Sequence, residues 1–309
     1  MQPTIKDIAK ATGVSHGTVS NVLNKRGNVS AEKIKLVEQT AIAMGYKINN
    51  KAKILRQGTT HSLAILLPTL ESPEYIDIYM NAKQFAETRD YTVHLFITND
   101  LPAREKEILK ELIALRINGI LAVTCLQEPD ACYQQSGLSH VRTIFIERKE
   151  TDRFSYAGFD FHSIGQEIGQ YIQHKPYKNV AVFTGQQYYT HYQELVRGLT
   201  GQVNESTRIT HIGSHMNQMN KAAFELLAEH QQYDMIVVTS PSLVPAINSA
   251  YALGSLSQRP DLICLSPLRS YPDRSIMNYQ LNYKLLGQLA CEQLLVSLDQ
   301  TKAGKTEHL

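Results

Sequence analysis

No stretch of the 309-residue chain approaches the roughly eighteen apolar residues of a membrane-spanning helix, and the N-terminus carries no apolar signal region. Membrane and exported classes are therefore disfavoured, and the expected compartment is the cytoplasm. The four cysteines, Cys125, Cys132, Cys264 and Cys291, form no C-x-x-C pair. Cys264 and Cys291 lie in apolar runs, so buried free thiols are expected rather than a disulfide frame. Also missing are G-x-G-x-x-G and Walker phosphate loops, the H-E-x-x-H metal helix and the G-x-S-x-G nucleophile turn. His211 and His215 are four apart, but on a strand and its following loop, a poor setting for a metal pair. The expectation is no enzyme, no cofactor and no metal site.

What the chain does have is an uneven charge. Residues 1–57 hold ten Lys/Arg against three Asp/Glu, a net of +7, while the remaining 252 hold twenty-one against twenty-six, a net of −5. A basic head on an acidic body suits a phosphate backbone, where counterion release supplies much of the affinity. The plainer reading of charge alone is a solvated pair of basic helices. The order of residues argues further. Thr4 to Thr12 has Ile5, Ile8 and Ala9 at helical spacing, and Gly13 allows a tight turn. Ser15 is placed to cap a second helix by accepting a backbone N–H near Thr18. Val19, Val22 and Leu23 make its inward stripe, leaving His16, Gly17, Ser20 and Asn21 outside. Two short helices about a Gly turn, the second with a polar outer face, form the helix-turn-helix pattern. A core helical hairpin is the alternative. Ser30 then caps a third helix with Ile34, Val37, Ala41 and Met44 on one face, ending at Gly45.

From Ser62 onward short apolar strands alternate with amphipathic helices. Strands are expected at Leu63–Leu67, Tyr91–Ile97, Gly119–Val123, Val141–Ile146, Val180–Thr184, Ile209–Ile212, Met235–Thr239 and Leu262–Leu265. Helices are expected at Pro73–Arg89, Ala103–Arg116, Ser163–His174, His191–Gly201, Gln218–His230 and Ser242–Leu253. This alternation predicts parallel sheets covered on both faces. Eight strands fit two subdomains better than one sheet, with the break near Phe159–His162. The fold class is thus an all-α helix-turn-helix headpiece plus an α/β body of two parallel-sheet subdomains.

Thr4-Ile-Lys-Asp-Ile-Ala, Gly13-Val-Ser, Thr18-Val-Ser, Val22-Leu-Asn, Val29-Ser, Gly45-Tyr and Ala52-x-x-Leu55 together resemble the lactose-repressor/galactose-repressor (LacI/GalR) family of bacterial transcription regulators. A weaker late match is Leu281-Asn-Tyr-Lys-Leu-Leu-Gly. The resemblance implies a headpiece over 1–46, a hinge over 47–58, and a periplasmic-binding-protein-like body over 59–309, crossing first near 160 and returning near 287. The family usually continues about one strand beyond Leu309, so that strand is expected to be absent or cut off.

The resemblance also assigns roles. Thr4 and Thr18 match phosphate-contacting positions, Ser15 the cap, and His16, Gly17 and Asn21 the base-reading positions. Ser20, Asn24, Ser30, Tyr46 and Asn49 complete the DNA-facing set. Many relatives carry Arg where this chain has Asn21; Asn pairs best with adenine, at about 1–3 kcal/mol of discrimination per good contact. Gly17 has no side chain to read with, and His16 reads guanine or a methyl, or contacts phosphate alone. Ala52 and Leu55 match the hinge face that folds on the operator, with Leu55 the minor-groove wedge. Ile48 stands where the family usually has Pro.

In the body, Leu70, Ser72, Tyr75, Glu147, Arg148 and Asp160 match or adjoin effector positions, although isolated charges at strand ends are as often merely solvated. Tyr188, Tyr189 and Tyr192 are candidates to stack on a ring, or else packing aromatics. The family's usual Arg corresponds to Leu195, with Arg197 displaced by two; its Asn-Asp is Thr239-Ser240; its late Asp is Leu268, beside Arg269. These losses, with Arg148, Arg197 and Arg269 at hand, suggest an anionic effector such as a sugar phosphate. The implied protein is a repressor binding a palindromic operator on double-stranded DNA as a homodimer, with a tetramer left open, and controlled by a sugar or sugar phosphate. A regulator that has lost sugar binding and answers to a partner protein or another metabolite is the alternative.

Overall fold

The computed structural model describes residues 3–23, 27, 29–46, 61–135, 137–214, 218, 221, 224, 232–253, 259–267 and 276–306. Asn24, His215, Arg269, the expected hinge with Asn49, Ala52 and Leu55, and most of the helix expected over 218–230 lie outside the described residues. The chain divides into two compact units, Met1–Thr59 and Thr60–Leu309.

In the first unit, α1 (Ile5–Thr12) opens with a reciprocal cap. The Thr4 N–H donates to Asp7 Oδ2 at 2.8 Å, and the Asp7 N–H to Thr4 Oγ1 at 3.4 Å. Gly13, at φ 67°, ends the helix in the left-handed region. Next come α2 (His16–Leu23) and α3 (Ala31–Ala43). Ser30 occupies the N-cap of α3, but its side chain makes no capping bond, so its expected capping contribution is confined to the backbone. Ile8, Val19, Val22, Val37 and Ala41 form the buried centre of this three-helix unit.

The second unit holds two five-stranded sheets. The first uses β1 (Ser62–Leu67), β2 (Thr92–Ile97), β3 (Gly119–Ala122), β4 (Arg142–Ile146) and β5 (Ser155–Ala157), in the order β2-β1-β3-β4-β5. The second uses β6 (Asn179–Thr184), β7 (Arg208–Gly213), β8 (Met235–Val238), β9 (Asp261–Pro267) and β10 (Ile276–Leu281), in the order β10-β9-β8-β6-β7. All pairings are parallel. Read from β7, the second order repeats the first, so one topology is built twice. β1 is buried along its whole length, as a strand covered by helices on both faces must be. The sequence indicated eight strands; β5 and β10 are additional, and each lies at a sheet edge.

Helices α4 (Pro73–Glu87), α5 (Pro102–Leu115), the single-turn α6 (Asp130–Tyr133), α7 (Phe161–Gln173), α8 (Thr190–Thr200), α9 (Val244–Leu253) and α10 (Tyr283–Thr306) connect and cover the sheets. Proline starts α4 and α5, where its missing N–H costs nothing. The chain leaves the first sheet after β5 and returns to it as α10, which packs on α4, β3, β4 and β5. α7 and α8 pack unusually close: a Cβ on Gly165 would lie 2.1 Å from the Leu195 carbonyl oxygen, and one on Gly198 2.1 Å from that of His162.

Candidate DNA-reading surface and effector cleft

The outer face of α2 is set by its buried one. Val19 and Val22 fix the rotation of the helix, which leaves His16, Gly17 and Asn21 exposed and Ser20 half-buried. The Thr18 N–H donates to Ser15 Oγ at 3.2 Å, and the two hydroxyls meet at 2.8 Å. The Thr4 hydroxyl donates to Asp7 at 2.7 Å. Contact of the Thr4 or Thr18 hydroxyl with phosphate therefore exchanges a local bond. Ser30 is exposed, and Tyr46 packs half-buried against the headpiece core.

In the body, polar residues gather just beyond the carboxyl ends of strands from both sheets, the usual place for ligands in open α/β sheets. Glu147 ends β4 with φ 64°, a left-handed backbone that costs a Glu of order 1–3 kcal/mol. Its neighbour Arg148 is wholly buried and pairs with Asp100, beyond β2, at 2.6 Å. Arg148 Nη1 also donates to the Thr124 carbonyl at 2.9 Å, and its guanidinium lies 3.9 Å over the Tyr189 ring. The Tyr189 hydroxyl donates to Asp100 at 3.1 Å, so the second sheet contributes directly to this pair.

A second set surrounds Glu147, which accepts the Tyr283 hydroxyl at 2.9 Å and that of Tyr75 at 3.4 Å. The Ser240 hydroxyl, beyond β8, donates to Glu74 at 3.0 Å. Nearby, the Ser72 and Ser242 hydroxyls stand 3.5 Å apart. Thr190, at the start of α8, donates its N–H and hydroxyl to Glu150 at 3.3 and 3.4 Å. These bonds stitch the two sheets together. Burial, reinforced by the Glu147 charge, pushes the Glu74 carboxyl up to about 7. Burial also raises Glu147, against the opposing pull of Tyr283, Arg148 and Tyr75. His191 is held well below the ordinary histidine range by burial, then by the Arg148 charge, and is neutral at neutral pH. Glu74 Oε2, Arg148 Nε and Nη2, and both His191 ring nitrogens are buried without a hydrogen-bond partner.

Of the effector positions named from sequence, Ser72, Tyr75, Glu147, Arg148, Tyr189 and Ser240 meet in this cluster. Tyr188 flanks it, its ring centroid 4.6 Å from that of Tyr189. Leu70 is exposed and makes no polar contribution. Asp160 is exposed and caps α7, accepting the Ser163 N–H at 3.0 Å and its hydroxyl at 2.7 Å. Arg197 does not reach the cluster: its side chain is 68% exposed and pairs with Glu194 on the same helix. Two residues along a helix is about 200° of rotation, so with Leu195 buried, Arg197 faces solvent. Glu74, Asp100, His191 and Tyr283 belong to the cluster without having been singled out. Tyr283 sits in the Leu281-Asn-Tyr stretch, and Asp100 follows the apolar run of β2; both positions were available signals. Among the described residues no group of His, Cys, Asp or Glu could hold a metal ion, and no helix is long and apolar enough to cross a membrane.

A helix-turn-helix unit and a body of two like parallel sheets, with a polar cluster between their carboxyl ends, are together the parts of a transcription-regulator architecture. Residues 4–49 match the bacterial regulatory proteins of the lacI family. Residues 60–257 match the periplasmic binding proteins and sugar binding domain of the LacI family. The chain belongs to the LacI family of DNA-binding transcriptional regulators. The sucrose operon repressor of Pediococcus pentosaceus is 28% identical over 188 residues, 60% of this chain and 56% of that protein. The chain thus spans little more than half the length of that relative. The HTH-type transcriptional repressor PurR of Pasteurella multocida is 26% identical over 284 residues, 89% of this chain and 81% of that protein. The lac repressor dimer bound to operator and the anti-inducer ONPF shares the fold, with a TM-score of 0.81 at 17% identity, covering 97% of this chain and 94% of that one.

Proposed function

We propose that this protein is a cytoplasmic repressor that binds a palindromic operator as a homodimer through its helix-turn-helix unit. A small sugar-type effector seated between the two sheets controls it. The observation that carries this reading is the orientation of α2, whose buried Val19 and Val22 turn His16, Gly17 and Asn21 outward on a Ser15-capped helix. Headpiece 1–46, hinge 47–58 and body 59–309 are the working divisions. In this reading Asn21 reads adenine and His16 supplies a second base contact. The hinge, with Leu55 as wedge, folds on the operator and links dimer geometry to affinity. The sucrose operon repressor and PurR, both named as repressors, support the sign of action. The strand-end cluster with its unpartnered polar atoms supports an effector site.

The test is genome-wide mapping of bound DNA followed by anisotropy titration of the recovered site. The expected result is one palindromic motif, with Asn21→Ala weakening it about 5- to 150-fold, equivalent to 1–3 kcal/mol, while binding to unrelated DNA is unchanged. Equal weakening on both DNAs would show that Asn21 does not read sequence. Absence of a common motif would remove the operator reading.

A further inference from the structure

The cluster between the sheets carries a charge imbalance. Three buried carboxylates, Asp100, Glu147 and Glu74, face one buried guanidinium, Arg148. Arg148 is committed to Asp100 at 2.6 Å, and tyrosine hydroxyls serve Glu147. Glu74 takes the Ser240 hydroxyl on Oε1, and its own backbone N–H and Ser72 also favour its charged form. Its Oε2, equally cut off from water, has no donor. Among the described residues no other positive charge is at hand: Arg197 is turned to solvent and paired with Glu194, and burial keeps His191 neutral. A buried carboxylate in this state requires a proton or a cation. Meanwhile the Nε–Nη2 edge of Arg148 and the two nitrogens of His191 lack partners. That edge offers two N–H donors, and a neutral imidazole one donor and one acceptor, all within reach of hydroxyl chemistry.

We propose that the cleft selects an amino sugar, whose ammonium group seats on Glu74 Oε2 while its hydroxyls meet Arg148 and His191. The inference rests on the reading of the body as an effector-binding domain, and the sugar part on the match of residues 60–257 to the sugar binding domain of the family. An ammonium supplies both the missing donor and the missing charge, in a charge-assisted bond about twice as strong as a neutral one. The Tyr75 and Tyr192 hydroxyls feel both Glu74 and Glu147, so the negative charge is shared across the site. A phosphate ester would meet two carboxylates beyond the one that Arg148 already balances. A neutral sugar leaves Glu74 to take up a proton, whereas an ammonium pairs with its charged form. Among the described residues the charge balance therefore favours an ammonium over the sugar phosphate suggested by the count of arginines.

The experiment is thermal unfolding of the full chain at pH 7 with glucosamine, galactosamine and mannosamine. Each is compared with its neutral parent and its 6-phosphate at equal concentration. At least one amine is expected to stabilise more than its parent and its phosphate. Glu74→Gln, which keeps shape and removes charge, should cut that amine's affinity at least about tenfold and cost its neutral parent much less. Ser240→Ala, which keeps the charge, should retain the amine preference. A phosphate or neutral sugar outperforming its amine overturns the inference while the effector reading stands. An amine preference that survives Glu74→Gln overturns the assigned seat, and no response to any of the nine overturns the amino-sugar class. Operator binding measured on the same samples reports separately on the regulator reading.

Discussion

Replacing Arg148 by Met is the sharpest test of how the two halves of the body are held together. Arg148 is fully buried and Asp100 nearly so, with 2.6 Å between them. Removing the guanidinium leaves the Asp100 carboxylate buried with the Tyr189 hydroxyl and deprives the Tyr189 ring of the cation above it. Breaking one side of a buried pair costs about 3–5 kcal/mol, most of it the penalty of the stranded charge. At about 2–4 °C per kcal/mol for a domain of 150–250 residues, the body should melt about 6–20 °C lower. Asp100→Asn in the same chain removes the stranded charge, so the double variant should recover much of the loss. Urea unfolding followed by circular dichroism on wild type, both single variants and the double gives the coupling directly. An Arg148→Met protein within about 1 kcal/mol of wild type, or a double variant as weak as the sum of the singles, would refute the account.

Two further outcomes follow from the same structure. Gly198→Ala places a methyl 2.1 Å from the His162 carbonyl; because backbone cannot yield as a side chain does, α7 and α8 must separate, at a cost of at least about 1–3 kcal/mol. An unchanged melting temperature would show the helices to be further apart than described. Glu74 makes stability fall as pH rises: its folded value, pushed up to about 7, exceeds the ordinary 4.5. Its favourable contribution is complete below pH 4.5 and is lost through pH 7, about 3 kcal/mol at roughly 1.4 kcal/mol per pKa unit. Urea midpoints at pH 5 and 8 should differ less in Glu74→Gln than in wild type, with Glu147 and Glu150, also raised by burial, supplying the remainder; equal sensitivity in both would assign the effect elsewhere.

The parts legible in the sequence are those whose signal is local. Leu63–Leu67 of β1 is an unbroken apolar run and is buried throughout, and Ser15 caps its helix through the bond its position suggested. β5 and β10 were not legible, because edge strands need be apolar only where the sheet covers them. Ser30 shows the limit of cap reading: its place at the helix start was evident, but its side chain makes no bond there. The cleft divides in the same way. Positions following strand ends, such as Ser72, Arg148 and Ser240, could be found by counting from apolar runs. Arg197 could not be placed without the helix phase, which turns it away from Leu195's buried side. Glu74 was hidden for another reason. An acidic residue beside Pro73 in a first helical turn looks like a solvated partner of the helix dipole, and only the packing of the second sheet over it makes it a buried charge.

The return of α10 has a consequence for synthesis of the chain. The first sheet is complete in residues 62–157, yet one of the helices covering it begins only at Tyr283. Leu294 fills the space above Gly119, while Gly287 lies against the Ile78 carbonyl. At about 5–20 residues per second, the ribosome takes roughly 6–25 s to make the 125 residues between Ala157 and Tyr283. During that interval β3 and β4 have strands beside them and α5 on one face, but the face that α10 covers stays open. One face of the nascent half is therefore an open apolar surface waiting for its own distant end, and this is when a chaperone has most to protect.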